Sequence, residues 1–270
     1  MIGKKIGLYR IEEKLAQGGS ATLYRAVQDG GGAELAVKFV KRSRGDYADQ
    51  RARMRHEAAL SLRVAHSGIV RTFSTGETDE GCYAIQELLR GKPLHRELRE
   101  RTRPGAGLPR AEALALALDL AAARAALHAA GLVHADLKPP NVMLCRSRAV
   151  ICDLGLALLE GEVRANGLLM GSPSYMAPEM GPHVPVTRAV DLWALGVVLF
   201  EMLAGTRPFG LRDDEPLAIL KAVHAAPLSL AWLKDQPREV QELVAELLER
   251  DPAKRMWDAT TVAMALKALG

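Results

Sequence analysis

Three polar side chains stand close together in the stretch "HADLKPPN": Asp136, Lys138 two residues on and Asn141 five residues on, between apolar flanks. A carboxylate at such a place can orient a hydroxyl and receive its proton. An ammonium two residues away can set positive charge against a transferring phosphoryl group. An asparagine supplies an amide oxygen, a donor that suits magnesium. Twelve residues after Asn141 the string "CDLG" brings Asp153, a second hard oxygen ligand. Taken alone, each string is also what a capped loop or a plain turn would carry.

These residues need elements to hold them. From Tyr9 to Val40 the pattern is strand-like, with a glycine turn "QGGS" between "YRIEEKL" and "ATLYRAV" and with Lys38 in the run "AELAVKFV". Alternation broken by glycine reads as hairpin structure. Residues 47–65, which include Glu57, have a helical pattern, and 66–89 return to short strands. The character changes after "GKPL". The stretch "RAEALALALDLAAARAALHAAG" predicts a long helix closed by Gly131, and further helices fit 187–205, 214–225, 237–249 and 259–268. The first 90 residues are thus strand-rich and the last 180 helix-rich, with the join near Glu87 to Lys92.

Composition narrows the function classes. With 270 residues, 49% hydrophobic and 25% charged, the chain can bury a substantial core. The net charge is +4, and all of it lies in residues 1–90. The densest basic run is interrupted by Asp46 and Asp49, so no nucleic-acid surface is expected. The three cysteines lack metal-like spacing and point to a reducing, cytoplasmic compartment. The N-terminus has no signal-type apolar run, and the most apolar segments carry charges or follow amphipathic patterns, so no membrane segment is expected.

In order along the chain stand "LAQGGSATLY", "LAVK", Glu57, "VHADLKPPN", "CDLG", "GSPSYMAPE" and "DLWALG". This series resembles the protein-kinase signature set, and in detail the eukaryotic-like (Hanks-type) Ser/Thr protein kinases of bacteria. The resemblance runs from about Tyr9 to about Leu266. It implies an α+β, bilobal fold, with a small antiparallel sheet and one helix in the first lobe and a larger, mainly helical second lobe. It implies one kinase domain over 1–270: an N-terminal lobe at about 9–88, a hinge at about 86–92 and a C-terminal lobe at about 93–268.

The resemblance also implies roles. Lys38 would hold the α- and β-phosphates of ATP, and Glu57 would hold Lys38. Asp136 would orient the acceptor hydroxyl and Lys138 would neutralise the γ-phosphate. Asn141 and Asp153 would bind magnesium, or manganese in its place. Gly18 and Gly19 would cover the phosphates. Leu15, Leu23, Ala36 and Met143 would form apolar walls for adenine, Gln86 would be the gatekeeper, and backbone groups of Glu87 and Leu89 would read the base. Glu179 and Arg255 would form a structural ion pair, and Asp191 would anchor the loop around Asp136. The implied partners are ATP and a protein substrate with a Ser or Thr acceptor. Lys138 and Ser172 fit Ser/Thr kinases, and Ser172 would bridge Asp136 and Lys138.

Three departures matter. The glycine loop reads Ala16-Gln17-Gly18-Gly19-Ser20-Ala21, with alanine where the family has its first and third glycines. Ala135 stands where the family has an arginine that pairs with an activation-segment phosphate. Leu156 to Met170 contains no Ser, Thr or Tyr. The last two agree, and they predict a segment held by Leu156, Leu158, Leu159, Leu168 and Leu169 without phosphorylation. If the chain is complete, control is expected to come from a partner or a dimer. Two alternatives share much of the pattern. A pseudokinase scaffold would bind nucleotide or a partner without transfer. A small-molecule kinase would share the His-x-Asp loop but not "GSPSYMAPE", "DLWALG" or Arg255.

Overall fold

The computed structural model describes residues 1–19, 21–146, 148–163, 171–209, 215–255 and 258–270. It has a mixed α+β architecture in two compact units. The first comprises Met1–Ala65, Val70–Arg90 and Asp153–Gly155; the second comprises His66–Ile69, Gly91–Cys152 and Leu156–Gly270.

The N-terminal unit is built on a six-stranded antiparallel sheet. Its elements are β1 (Lys5–Ile6), β2 (Tyr9–Gln17), β3 (Thr22–Gln28), β4 (Glu34–Lys41), helix α1 (Tyr47–Ser61), β5 (Thr72–Thr78) and β6 (Gly81–Glu87). The spatial order is β1-β2-β3-β4-β6-β5. Side chains alternate faces along a strand. Val37 and Phe39 therefore point into a cluster with Ile6, Ile11, Tyr24 and Ala26. Ala36, Lys38 and Val40 take the other face, where Val40 packs with Met54 of α1 and with Cys82 and Ala84. Register carries the same face onto β6, since Cys82, Ala84 and Gln86 lie opposite Val40, Lys38 and Ala36. Gly81 opens β6 against Lys41, and a Cβ there would sit 2.0 Å from the carbonyl oxygen of Val40, so only glycine fits.

The C-terminal unit contains β7 (Lys92–Pro93), α2 (Leu94–Arg101), α3 (Arg110–Ala129), β8 (Leu132–Val133), β9 (Val142–Cys145), β10 (Arg148–Ile151), β11 (Leu158–Leu159), α4 (Ala189–Ala204), α5 (Pro216–Ala225), α6 (Arg238–Leu247) and α7 (Ala259–Leu269). Helix α4 is buried almost all round, as its largely apolar sequence, broken only by Asp191 and Glu201, requires of an interior helix. It packs on α3 and α6, and α7 packs on α3. Gly131 takes φ +70° just after α3, as expected of a helix-closing glycine. Strands β10, β9 and β7 form a small sheet, and β8 pairs with β11. The expected helix over 47–65 ends at Ser61. Helix α2 has no counterpart in the sequence expectations, because only Leu94 and Leu98 of its eight residues are buried and the rest are polar.

Candidate active site

In the N-terminal unit, alternation on β4 turns Lys38 toward α1, where Glu57 is 3% exposed. The Lys38 Nζ donates to Glu57 Oε2 at 2.7 Å and lies 3.5 Å from Asp153 Oδ1. Asp153 Oδ1 also accepts from the backbone N–H of Gly155 at 2.9 Å. Burial pushes the Glu57 carboxyl up from its ordinary range, and the charge of Lys38 opposes that shift. The other oxygen, Oε1, accepts from Gln86 Nε2 at 3.2 Å. Gln86 Nε2 also donates to Thr72 Oγ1 at 3.0 Å, and the Thr72 N–H donates to Ser61 Oγ at 3.0 Å. The sequence pointed to Lys38, Glu57 and Gln86 but missed Thr72 and Ser61, and it named Gln86 as gatekeeper without its bond to Glu57.

The expected nucleotide-binding residues of this unit fall as follows. Leu15 is on β2 and 40% exposed, Leu23 is half-buried on β3 opposite Lys38, and Ala36 is buried on β4 opposite Gln86. Gly18 and Gly19 are exposed between β2 and β3, with the Gly18 N–H donating to the Ala21 carbonyl at 2.9 Å. The Glu87 N–H is taken by the Arg71 carbonyl at 2.9 Å, and Leu89 follows just after β6.

In the C-terminal unit, the loop between β8 and β9 carries the second set. Lys138 Nζ lies 2.9 Å from Asp136 Oδ2 and donates to Ser172 Oγ at 2.8 Å. Asn141 Nδ2 donates to the Asp136 carbonyl at 2.9 Å and to Asp136 Oδ2 at 3.1 Å. That commits the amide nitrogen and leaves the amide oxygen as a potential metal donor. Met143, the expected adenine wall, is half-buried on β9 opposite Val150. An open cavity of about 840 Å³ lies beside Lys138 and Ser172, with Arg99, Pro140, Tyr175 and Ile219 among its walls.

The loop itself is held from below. Asp191, fully buried on α4, accepts from the N–H groups of His134 and Ala135 at 2.9 Å each and lies 3.0 Å from His128 Nε2. Burial alone would raise this carboxyl, but the His128 bond and the nearby Arg124 charge outweigh it and hold the carboxyl well below the usual carboxylate range. Arg124, also fully buried, is lowered to about 10 by burial. Ala135 takes φ +58°, a left-handed conformation that costs alanine ~1–2 kcal/mol. Arg255 makes a bidentate pair with Glu179 at 2.6 and 2.9 Å and lies over the Trp193 ring. His128 and Arg124 were missed in the sequence. Arg124 had a signal, since it sits on the apolar stripe of Leu116, Leu120 and Leu127.

The activation-segment expectation needs correction. Leu159 is 43% exposed, so it does not pack as foreseen; Leu156 and Leu158 are half-buried. Leu168 and Leu169 lie outside the described residues. The start of the segment is held mainly through its backbone. Gly161 N–H donates to the Val186 carbonyl at 2.8 Å, Val186 N–H to the Glu162 carbonyl at 2.9 Å, and Glu160 pairs with Arg188.

The same order of motifs matches the protein kinase domain across residues 9–266. The chain belongs to the protein kinase domain family. Among curated relatives, the kinase domain is 33% identical over 260 residues to the serine/threonine-protein kinase PksC of Streptomyces coelicolor, covering 92% of this chain and 46% of that protein. It is 32% identical over 271 residues to the serine/threonine-protein kinase PknA of Mycobacterium tuberculosis, covering 97% of this chain and 61% of that protein. It is 32% identical over 277 residues to the serine/threonine-protein kinase pkn2 of Myxococcus xanthus, covering 97% and 32%. The kinase domain thus spans between about a third and three-fifths of the length of these relatives. Among the described residues, no helix is long and apolar enough to cross a membrane.

Proposed function

We propose that this kinase domain transfers the γ-phosphoryl group of ATP to Ser or Thr hydroxyls of protein substrates. One observation carries the reading: Lys138 Nζ stands 2.9 Å from Asp136 Oδ2 and 2.8 Å from Ser172 Oγ, with Asn141 fixing the same carboxylate. Asp136 is then oriented to accept a hydroxyl proton, and Lys138 lies beside the point where charge develops. Lys38, braced by Glu57, would hold the nucleotide phosphates. Gly18 and Gly19 would cover them, and Leu15, Leu23, Ala36, Met143 and the backbone of Glu87 and Leu89 would bind adenine.

Magnesium needs hard oxygens, and it usually keeps few protein ligands and takes the rest from phosphate and water. The donor chemistry of the Asp153 carboxylate and the Asn141 amide oxygen fits that habit. Among the described residues no cluster of three or more His, Cys, Asp or Glu side chains could cage a metal unaided. When bound, the ion would neutralise phosphate charge.

The open cavity beside Ser172 supports a protein acceptor over a small molecule. Activity without activation-segment phosphorylation belongs to the same proposal. It is supported by the missing guanidinium at Ala135 and by the backbone hydrogen bonds that hold residues 160–162. Intact-mass measurement after incubation with Mg-ATP and a generic protein acceptor tests the reading. Wild type should add phosphate in steps, and Asp136→Asn should lose turnover while keeping nucleotide affinity. Equal transfer by both proteins would leave a nucleotide-binding scaffold as the better description.

A further inference from the structure

Glu57 is a carboxylate with almost no access to water, and such a group must have partners for both oxygens. Oε2 has Lys38. Oε1 has Gln86, from the next strand. An ionised carboxylate only accepts, which fixes the orientation of the glutamine: its NH2 faces Glu57. The second hydrogen of that NH2 goes to Thr72 Oγ1, and the Thr72 N–H goes to Ser61 Oγ. Ser61 is one helical turn beyond Glu57. Helix α1 is thus tied to β5 and β6 at two successive turns, through four side chains that are each at most 9% exposed.

We propose that Gln86 is a positioning residue for phosphate binding: its amide holds Glu57, and with it α1, in the place that aims Lys38. The inference rests on the kinase reading above and extends it. A gatekeeper acting only as a wall would leave its head group toward the nucleotide, whereas here Gln86 is 4% exposed and its amide is committed to Glu57 and Thr72. The charged groups around Glu57 are Lys38 of β4 and Asp153, so Gln86 is the neutral member that satisfies the oxygen Lys38 leaves.

Gln86→Met keeps the volume and removes the donor. In this variant the KM for ATP and the Kd for Mg-ADP should rise about tenfold, with the KM for the protein acceptor unchanged, because one hydrogen bond to a buried carboxylate is lost. A merely structural role would instead lower the active fraction and leave KM alone. In a Glu57→Gln background the Met substitution should cost less than threefold, since its effect runs through Glu57. Thr72→Val, which removes only the outer anchor, should raise the ADP Kd two- to threefold. If Gln86→Met folds poorly, Gln86→Asn serves, because its amide is too short to span to Glu57. Unchanged ATP KM and ADP Kd in Gln86→Met, or a full tenfold effect in the Glu57→Gln background, would overturn the proposal. Calorimetry with Mg-ADP keeps the two readings apart. A wild type that binds nucleotide but transfers nothing refutes the kinase reading, and the same affinity cycle still decides the role of Gln86.

Discussion

Replacing Asp191 by Asn should both destabilise the C-terminal unit and slow turnover. The carboxylate has no exposure and receives the N–H groups of His134 and Ala135 on different oxygens, with His128 as a third partner. Asparagine keeps the shape but offers one accepting oxygen and turns an NH2 toward a donor. At least one backbone N–H is then buried without a partner, at ~1–3 kcal/mol. The negative charge that faces buried Arg124 is also lost. Breaking a buried charged network of this kind costs about 3–5 kcal/mol in total. The damage should also reach chemistry, because Asp191 accepts from the N–H of Ala135, which sits at φ +58°, and Asp136 is the next residue. Urea denaturation followed by intrinsic fluorescence should show the drop in stability, and turnover at a temperature where the variant is still folded should fall at least tenfold. The pH dependence has a definite sign. The folded carboxyl lies below its unfolded value, so its stabilisation is fully present above the ordinary carboxylate range near 4 and drains as the pH falls below it. Wild type should lose stability faster than Asp191→Asn as the pH drops from about 4 toward 2. A variant within about 0.5 kcal/mol of wild type, with unchanged turnover, would refute the reasoning.

Three further outcomes are expected. Asp153→Asn should abolish the magnesium-dependent part of ATP affinity, so calorimetry with and without Mg²⁺ should give the same Kd in that variant. Gly196→Ala should destabilise by about 1–3 kcal/mol through overpacking, read as a lower denaturation midpoint, because its Cβ would lie 2.7 Å from Leu247 Cβ and 3.1 Å from Leu248. Phosphatase-treated protein should transfer phosphate without a lag, and any autophosphorylation should map outside 156–170; a lag that shortens as phosphate accumulates on Ser172 or Ser174 would exclude phosphate-independent control.

The parts of the site that were legible in the sequence are those packed into short strings. Asp136, Lys138 and Asn141 lie within six residues, and the loop that joins them brings all three together. Lys38 and Glu57 are far apart in sequence, yet each sits on an element whose periodicity was readable, and the family resemblance paired them. The bonds around Gln86 were not legible, because they depend on register across β4, β6 and β5 and on one face of α1. A wall residue and a hydrogen-bonding residue look alike in sequence at that place. Helix α2 escaped notice because polar side chains crowd its two buried leucines. The activation-segment leucines misled for a related reason. A run of leucine suggests packing, but the segment begins as a strand paired with β8, and a strand turns alternate residues outward, so Leu159 faces solvent.

The glycine at position 81 gives the sheet an alignment key. Its missing side chain lets β6 lie against the Val40 carbonyl, and no other residue could occupy that spot. A slip of β6 by one residue would bring the side chain of Glu80 or Cys82 onto that carbonyl, and it would also turn Gln86 away from Glu57. The misaligned sheet is therefore blocked by a collision several residues from the phosphate-binding pair.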